Sequence, residues 1–344
     1  MTTQRLPTIA ITAVAASLVA APVAQLADAA LLRAAVELAA GTGLGGLAAC
    51  GALCGVVGYG ALCGLVARRF TRARRMVVDA AGDAGGAHTV RFAARDGAAT
   101  IEAWHLRAAA GRATRGAVVF VHGKDACRGE LLKAPTLALA ARFADAGFDV
   151  LMIDLRGHGR SAPAPLSYGH QERHDVLGAI DWLRERGHVR IGVFGASMGA
   201  AATLLAAAEE PAVAAVVADS AFADFGQMIE RQFARLARLP RPVLPGALAI
   251  GRVITGVALQ RVRPIDGARA LAGRPVLVIH SAGDRFVPAC DAEAIAAAAG
   301  AELWITPTEG HIGSYRAAPE PYVQRVLGFF ERHLGAAAGP ARQG

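Results

Sequence analysis

Gly195-Ala196-Ser197-Met198-Gly199 has the form G-x-S-x-G. A run that reads as a strand (190–194) precedes it, and a run that reads as a helix (199–209) follows. A strand that turns sharply into a helix leaves no room for side chains at the two glycines and lifts the serine hydroxyl above the sheet. A serine hydroxyl is a poor nucleophile until a base takes its proton, and that base needs an orienting acid. Downstream of Ser197 stand only three histidines, His280, His311 and His333. His280 falls inside a strand and His333 in the terminal helix. His311 follows the last strand, in Glu309-Gly310-His311, and is the expected base. The expected acid is Asp284, in Gly283-Asp284-Arg285-Phe286-Val287-Pro288 after the strand at 275–280. Its rival, Asp219, ends the preceding strand and reads as a turn or cap residue. A developing oxyanion needs donors. The backbone N–H of Met198 is one candidate. The N–H of Lys124, in His122-Gly123-Lys124 after the strand at 117–121, is the other, with His122 bracing that loop. This chemistry asks for no metal and no organic cofactor.

These residues need a scaffold. Strands are expected at 89–92 and 100–106 as an antiparallel pair, and then as short buried runs at 117–121, 150–154, 190–194, 214–219, 275–280 and 302–306. Helices are expected between them at 131–146, 171–186, 199–209 and 291–299, with a last one at 321–334. That alternation predicts an α/β fold, a doubly wound and mostly parallel sheet with right-handed crossovers. Ligands of such sheets bind beyond the C-terminal strand ends, where every motif above falls. One irregular stretch, about 225–263, is long enough for a lid insertion.

Taken together, the chain resembles the α/β-hydrolase superfamily over about residues 88–334. The resemblance rests on Val121-His122-Gly123, Asp154-Leu155-Arg156-Gly157-His158-Gly159-Arg160-Ser161, the elbow at Ser197, Gly283-Asp284 with Val287-Pro288, and Gly310-His311. Ala218-Asp219-Ser220-Ala221-Phe222 and the apolar N-terminus are similar to membrane-anchored bacterial serine esterases and serine aminopeptidase-like (S33-type) members. The resemblance implies that the 154–161 loop flanks the pocket without taking part in catalysis. His280-Ser281 departs from the His-Gly often found in relatives, a difference of loop packing. Serine at the elbow argues against dehalogenase and epoxide hydrolase chemistry, which uses aspartate there.

The 344 residues are 54% apolar and 19% charged, which excludes a disordered chain and exceeds an ordinary soluble globule. Residues 6–27 and 38–67 carry no charge, and each can span about 30 Å of hydrocarbon as a helix. Residues 1–75 are therefore expected to form a two-span anchor ahead of a catalytic domain at 76–344. The net charge is +8. Seven basic and two acidic residues lie within 1–75, and five arginines cluster from Arg68 to Arg75. A cluster beside an apolar segment reads as a membrane flank, placing the main domain in the cytoplasm at the inner membrane. Neither zinc-finger spacing nor aromatic-basic interleaving supports nucleic-acid binding. Whether the first apolar run is retained or cleaved as a signal peptide stays open. Glycines four apart in the second run (Gly41/Gly45, Gly51/Gly55, Gly60/Gly64) permit close helix contact. Five cysteines show no disulfide or metal spacing. Lysine occurs only twice, at 124 and 133.

The expected function is a membrane-anchored serine hydrolase acting on a carboxylic ester, with lipid esters and thioesters among the candidates. A peptidase, amidase or acyltransferase using the same triad is the alternative. A non-catalytic binding protein on the same fold is a further one, because fold and triad do not separate these reactions.

Overall fold

The computed structural model describes residues 43–78, 86–109 and 114–335. They fall into two compact units, one of residues 43–70 with Phe233–Gly256, the other of Thr71–Gln232 with 257–335. The expected first span, 6–27, lies outside the described residues.

The second unit carries one sheet of eight strands: β1 (His88–Ala93), β2 (Thr100–Leu106), β3 (Gly116–Val121), β4 (Phe148–Ile153), β5 (Ile191–Ala196), β6 (Val213–Asp219), β7 (Val276–Gly283) and β8 (Glu302–Glu309). Their order is β1-β2-β4-β3-β5-β6-β7-β8. The pairings β1/β2 and β2/β4 are antiparallel, and the others are parallel. β3, β4 and β5 are buried along their whole length, which is why their sequences (GAVVFV, FDVLMI, IGVFGA) run apolar without alternation. Packed on the sheet are α2 (Thr136–Asp145), α3 (Arg173–Arg184), α4 (Met198–Glu209), α8 (Ala289–Ala299) and α10 (Pro319–Leu334), while α7 (Pro264–Ala270) packs against α4 and α8; α5 (Phe225–Ala237) and α9 (Ser314–Ala317) lie between these in the chain. Phe120, Phe143, Phe148, Phe194 and Phe330 interlock in one aromatic cluster, with ring centroids 5.1–6.3 Å apart. Gly192 makes this possible, because a Cβ there would sit 2.5 Å from the Phe330 ring.

The expected α/β fold and mostly parallel sheet are present, with shifted boundaries. The helix expected at 131–146 begins only at Thr136. Pro135 cannot continue a helix backwards, and Lys133 takes a left-handed φ of 54°. The strand expected at 190–194 runs on to Ala196, directly against Ser197.

In the first unit, α1 (Gly43–Phe70) packs against α6 (Val243–Thr255). Cys63, Val66, Phe233, Val243 and Ala247 form its buried core. Phe70 and Phe233 have ring centroids 6.2 Å apart. The Tyr59 hydroxyl donates to the Pro242 carbonyl at 2.8 Å, and the Cys63 thiol to that of Val243 at 3.6 Å. Gly246 permits the close approach: a Cβ there would lie 2.6 Å from Cys63 Sγ. Of the glycines whose spacing permits close helix contact, Gly51, Gly55 and Gly60 meet no neighbouring atom within 4 Å among the described residues. Part of the expected lid stretch, 233–256, is thus a partner of α1. Within α1, Gly51–Phe70 is long and apolar enough to cross a membrane by length and composition.

Candidate active site

β5 ends at Ala196, and α4 begins at Met198. Ser197, between them, has φ 53° and ψ −117°, a strained conformation for a residue with a side chain. The flanking glycines are sterically required. A Cβ on Gly195 would lie 2.5 Å from Gly199 O and from Thr203 Oγ1. One on Gly199 would lie 2.3 Å from the Val121 carbonyl oxygen. The Ser197 N–H donates to Asp219 O at 2.8 Å, tying the elbow to the end of β6.

β7 and β8 stay paired to their last rung, Gly283 with Glu309, and Gly310 N–H donates to Gly283 O at 3.2 Å. Asp284 and His311 therefore leave the sheet side by side. The Asp284 carboxylate is buried, and its Oδ2 accepts from His311 Nδ1 at 2.7 Å. Its Oδ1 accepts from the N–H groups of Phe286 (2.8 Å) and Val287 (3.0 Å). Burial alone would raise the carboxyl pKa. The hydrogen bond and charge of His311, with those two N–H groups, outweigh burial and hold the group below its ordinary value. An ionised acceptor at Nδ1 fixes the neutral His311 tautomer with its proton there, leaving Nε2 as an acceptor. Nε2 lies 2.7 Å from Ser197 Oγ, which donates to it. The structure thus brings Ser197, His311 and Asp284 into one continuous hydrogen-bond chain. The Phe286 ring meets the imidazole edge-on, 5.0 Å between centroids.

The loop after β3 closes on the serine. A Cβ on Gly123 would lie 3.2 Å from Ser197 Cβ and 3.8 Å from its Oγ. The backbone N–H groups of Lys124 and Met198, the expected oxyanion donors, have no protein partner among the described residues. His122 braces this loop as expected. Its Nδ1 donates to Gly123 O at 2.7 Å, and its Nε2 accepts from the Leu155 N–H at 3.1 Å. Burial pushes His122 down to about 4, so it stays a neutral strut. The Lys124 ammonium turns away to Asp125 at 2.6 Å.

Asp219, the rival acid, is occupied elsewhere. It is fully buried, with Oδ2 accepting from Tyr322 OH at 2.6 Å and Oδ1 from Ser220 OH at 2.7 Å. It is thus the centre of a buried network, where the sequence suggested a turn or cap. The 154–161 loop is held structurally: Asp154 accepts from the Arg128 N–H (2.7 Å), its guanidinium (2.8 Å) and the Arg160 N–H (2.9 Å).

Three neighbours support the triad, of which the sequence pointed only to Ser281, as a difference of loop packing. His280, fully buried, donates from Nε2 to Val287 O at 2.9 Å and stands 3.5 Å from Asp284 Oδ2. It clamps the turn that presents the acid. Its only sequence signal is its spacing of four residues before Asp284. Ser281 Oγ accepts from the Gly313 N–H at 3.1 Å, so the hydroxyl that replaces glycine here pins the loop carrying the base. The Lys133 ammonium donates to His311 O at 2.7 Å. No local pattern signals that contact.

The chain is similar to known proteins in sequence and in fold. A sequence model of the family described as serine aminopeptidase, S33, matches residues 112–263, a stretch that contains the elbow. The Bacillus subtilis (strain 168) protein YqkD is 33% identical over 156 residues, covering 44% of this chain and 51% of that one. The chain thus spans about half the length of that relative. A thermostable monoacylglycerol lipase from Bacillus sp. (strain H-257) is 29% identical over 226 residues, covering 57% of this chain and 85% of the lipase. Among solved structures, Pyrococcus furiosus esterase Pf2001 superposes with a TM-score of 0.63 at 22% identity, covering 77% of this chain and 99% of the esterase. The fold is that of the α/β-hydrolases.

Proposed function

We propose that this chain of the α/β-hydrolase fold is a serine hydrolase that cleaves a carboxylic ester through an acyl-enzyme. The observation that carries the reading is the chain from Ser197 Oγ to His311 Nε2 and from His311 Nδ1 to Asp284, each link 2.7 Å. Ser197 Oγ attacks the acyl carbon while His311 takes its proton. Asp284 holds the imidazole in register and stabilises the charge it acquires. The N–H groups of Lys124 and Met198 receive the oxyanion. His311 returns the proton to the leaving alcohol. Water, deprotonated by the same histidine, then releases the acid and restores Ser197.

A lipid ester is the favoured substrate class. The likeness to a monoacylglycerol lipase supports it. So does α1, which exposes Leu53, Val56 and Leu65 and has the length of a bilayer span. The arginines from Arg68 to Arg75 favour a cytoplasmic face for the catalytic unit at the inner membrane.

The test is fluorophosphonate labelling of membranes carrying the wild type or Ser197→Ala. Labelling of the wild type alone is expected; equal labelling, or none in either, overturns the assignment. A panel of ester, thioester and aminoacyl-amide substrates then separates the reactions. Faster turnover of the amide replaces the esterase reading with a peptidase one.

A further inference from the structure

The residues that follow α1 belong to the catalytic unit. Thr71 O accepts from the Leu166 N–H at 2.7 Å. The Arg74 N–H donates to Asp125 Oδ1 at 2.8 Å. The Arg75 guanidinium donates to Gly159 O at 3.2 Å and also to Ser161 O. Val78 lies against Gly129, where a Cβ would come within 2.9 Å of the valine Cβ. Apart from the bond to Leu166, these contacts fall on the loop after β3 or on the 154–161 loop beside it.

Asp125 is the focus. It adjoins Lys124, whose N–H is assigned to the oxyanion, and it takes a left-handed φ of 60°. A residue with a side chain holds that conformation only when its surroundings over-determine it. Three ties do so here, one of them the Lys124 ammonium on Asp125 Oδ2 at 2.6 Å. The Arg74 N–H holds the carboxylate from one side, and His158 Nε2 accepts the Asp125 N–H at 3.3 Å from the other. His158 itself sits in the 154–161 loop that Arg75 grips. Ser161, one end of that grip, donates from Oγ to Asp154 O at 2.7 Å, and Asp154 holds Arg128 of the oxyanion loop.

We propose that Arg74 and Arg75 are positioning residues for the oxyanion hole, acting through Asp125 and the 154–161 loop. This inference rests on the serine hydrolase reading. The sequence presents five arginines as one membrane flank. The structure divides the cluster and gives the backbone of Arg74 and the side chain of Arg75 to the chemistry. An oxyanion donor works only when it lies about 2.7–3.1 Å from the developing charge, so slack in the Lys124 backbone lowers the rate of the chemical step and leaves substrate binding little changed.

The experiment uses the full-length protein in membranes. Arg74→Pro removes one N–H, and Arg75→Met removes the guanidinium. Arg75→Lys keeps a charge and a donor but loses the fork. Initial rates on a short-chain ester give kcat and KM. An alkyl boronic acid, whose tetrahedral serine adduct places an anionic oxygen where the oxyanion forms, gives a Ki. Arg75→Met is expected to lower kcat about ten-fold with KM within about two-fold, and to raise the boronate Ki in step, with Arg75→Lys recovering part of both. A lower melting temperature with unchanged kcat and Ki overturns the inference and leaves the segment a strap. If Arg74→Pro does not fold, the Arg75 pair decides alone. A wild type that neither turns over ester nor binds boronate overturns the hydrolase reading itself. A wild type that does both, with kcat and Ki unchanged in Arg75→Met, overturns only this inference.

Discussion

Gly283 and Glu309 face each other in the last rung shared by β7 and β8. Asp284 follows the first directly, and His311 follows the second after one glycine. The alignment of acid and base is therefore set where the paired strands end, just after a shift of register between Ser281 and Gly283, and the loops add only the final turn. A slip of one residue in that pairing would reverse which face each side chain meets. The Ser197 elbow is referenced to the same sheet through its N–H bond to Asp219 O. All three members of the triad are thus placed by neighbouring strands.

Asp284→Asn keeps the shape of the acid but offers an amide in place of the anion, which favours the wrong imidazole tautomer. A loss of about 10³–10⁴ in kcat is expected, with the folded state intact by circular dichroism. The carboxyl is depressed in the folded state. Its contribution to stability is therefore present above the ordinary carboxylate pKa and lost as pH falls through the folded value. Turnover within ten-fold of the wild type would remove Asp284 from the proton chain.

Gly199→Ala places a methyl carbon 2.3–2.4 Å from the carbonyl oxygens of Val121 and His122. These are backbone atoms, so relief requires the elbow and the oxyanion loop to part. A destabilisation of about 1–3 kcal/mol is expected, with fluorophosphonate labelling lost well below the unfolding temperature. Denaturant midpoints and labelling on the same preparation check both. Wild-type labelling in this variant would mean that the two loops do not need their present contact.

Burial pushes His122 down to about 4, and burial with the charge of His122 pushes His158 down to about 4. In an unfolded chain both titrate near about 6.5. Between those values the unfolded state binds the extra protons, so stability falls as pH drops from about 6.5 to about 4 and levels off below. The stabilisation is complete above that window. Denaturant midpoints from pH 7.5 to 4 should show this slope, and His122→Gln should flatten it. An equal slope in the variant would place the titrating groups elsewhere.

Lys133→Met removes the donor to His311 O. Because that bond holds a catalytic loop and little of the core, kcat is expected to fall about five-fold, with the melting temperature shifted by only about a degree. Lys133→Arg, able to reach the same carbonyl, should restore most of the rate. A loss not rescued by arginine would mean that the compact ammonium does something beyond holding the loop.

What could be read in advance is local. The elbow is five consecutive residues, and its glycines announce their own steric need. Asp284 and His311 each follow a buried apolar run directly, so chain order and strand ends suffice to find them. The rest depends on contacts between distant residues. Asp219 is withdrawn by Tyr322, 103 residues away. The Lys133 bond to His311 O spans 178 residues. The helix expected at 131–146 is the exception: its late start at Thr136 goes with Pro135, a stop that stands in the sequence itself, and with the left-handed Lys133. The partner of 233–256 is invisible because nothing in its own sequence names α1, and Gly246 reveals itself only through what a Cβ would strike.

The chain has two lysines against thirty-four arginines, and both stand in the loop between β3 and α2 that reaches Ser197 and His311. An endoprotease that cuts after lysine therefore has two targets in this sequence, both on the catalytic rim. Cleavage by such an enzyme would report the opening of that rim and little else, and a tetrahedral adduct at Ser197 that steadies the loop would slow it. An endoprotease specific for arginine leaves both lysine bonds intact and reports on the rest of the chain instead. The ratio of the two digestion rates turns an oddity of composition into a local gauge of active-site order that needs no added label.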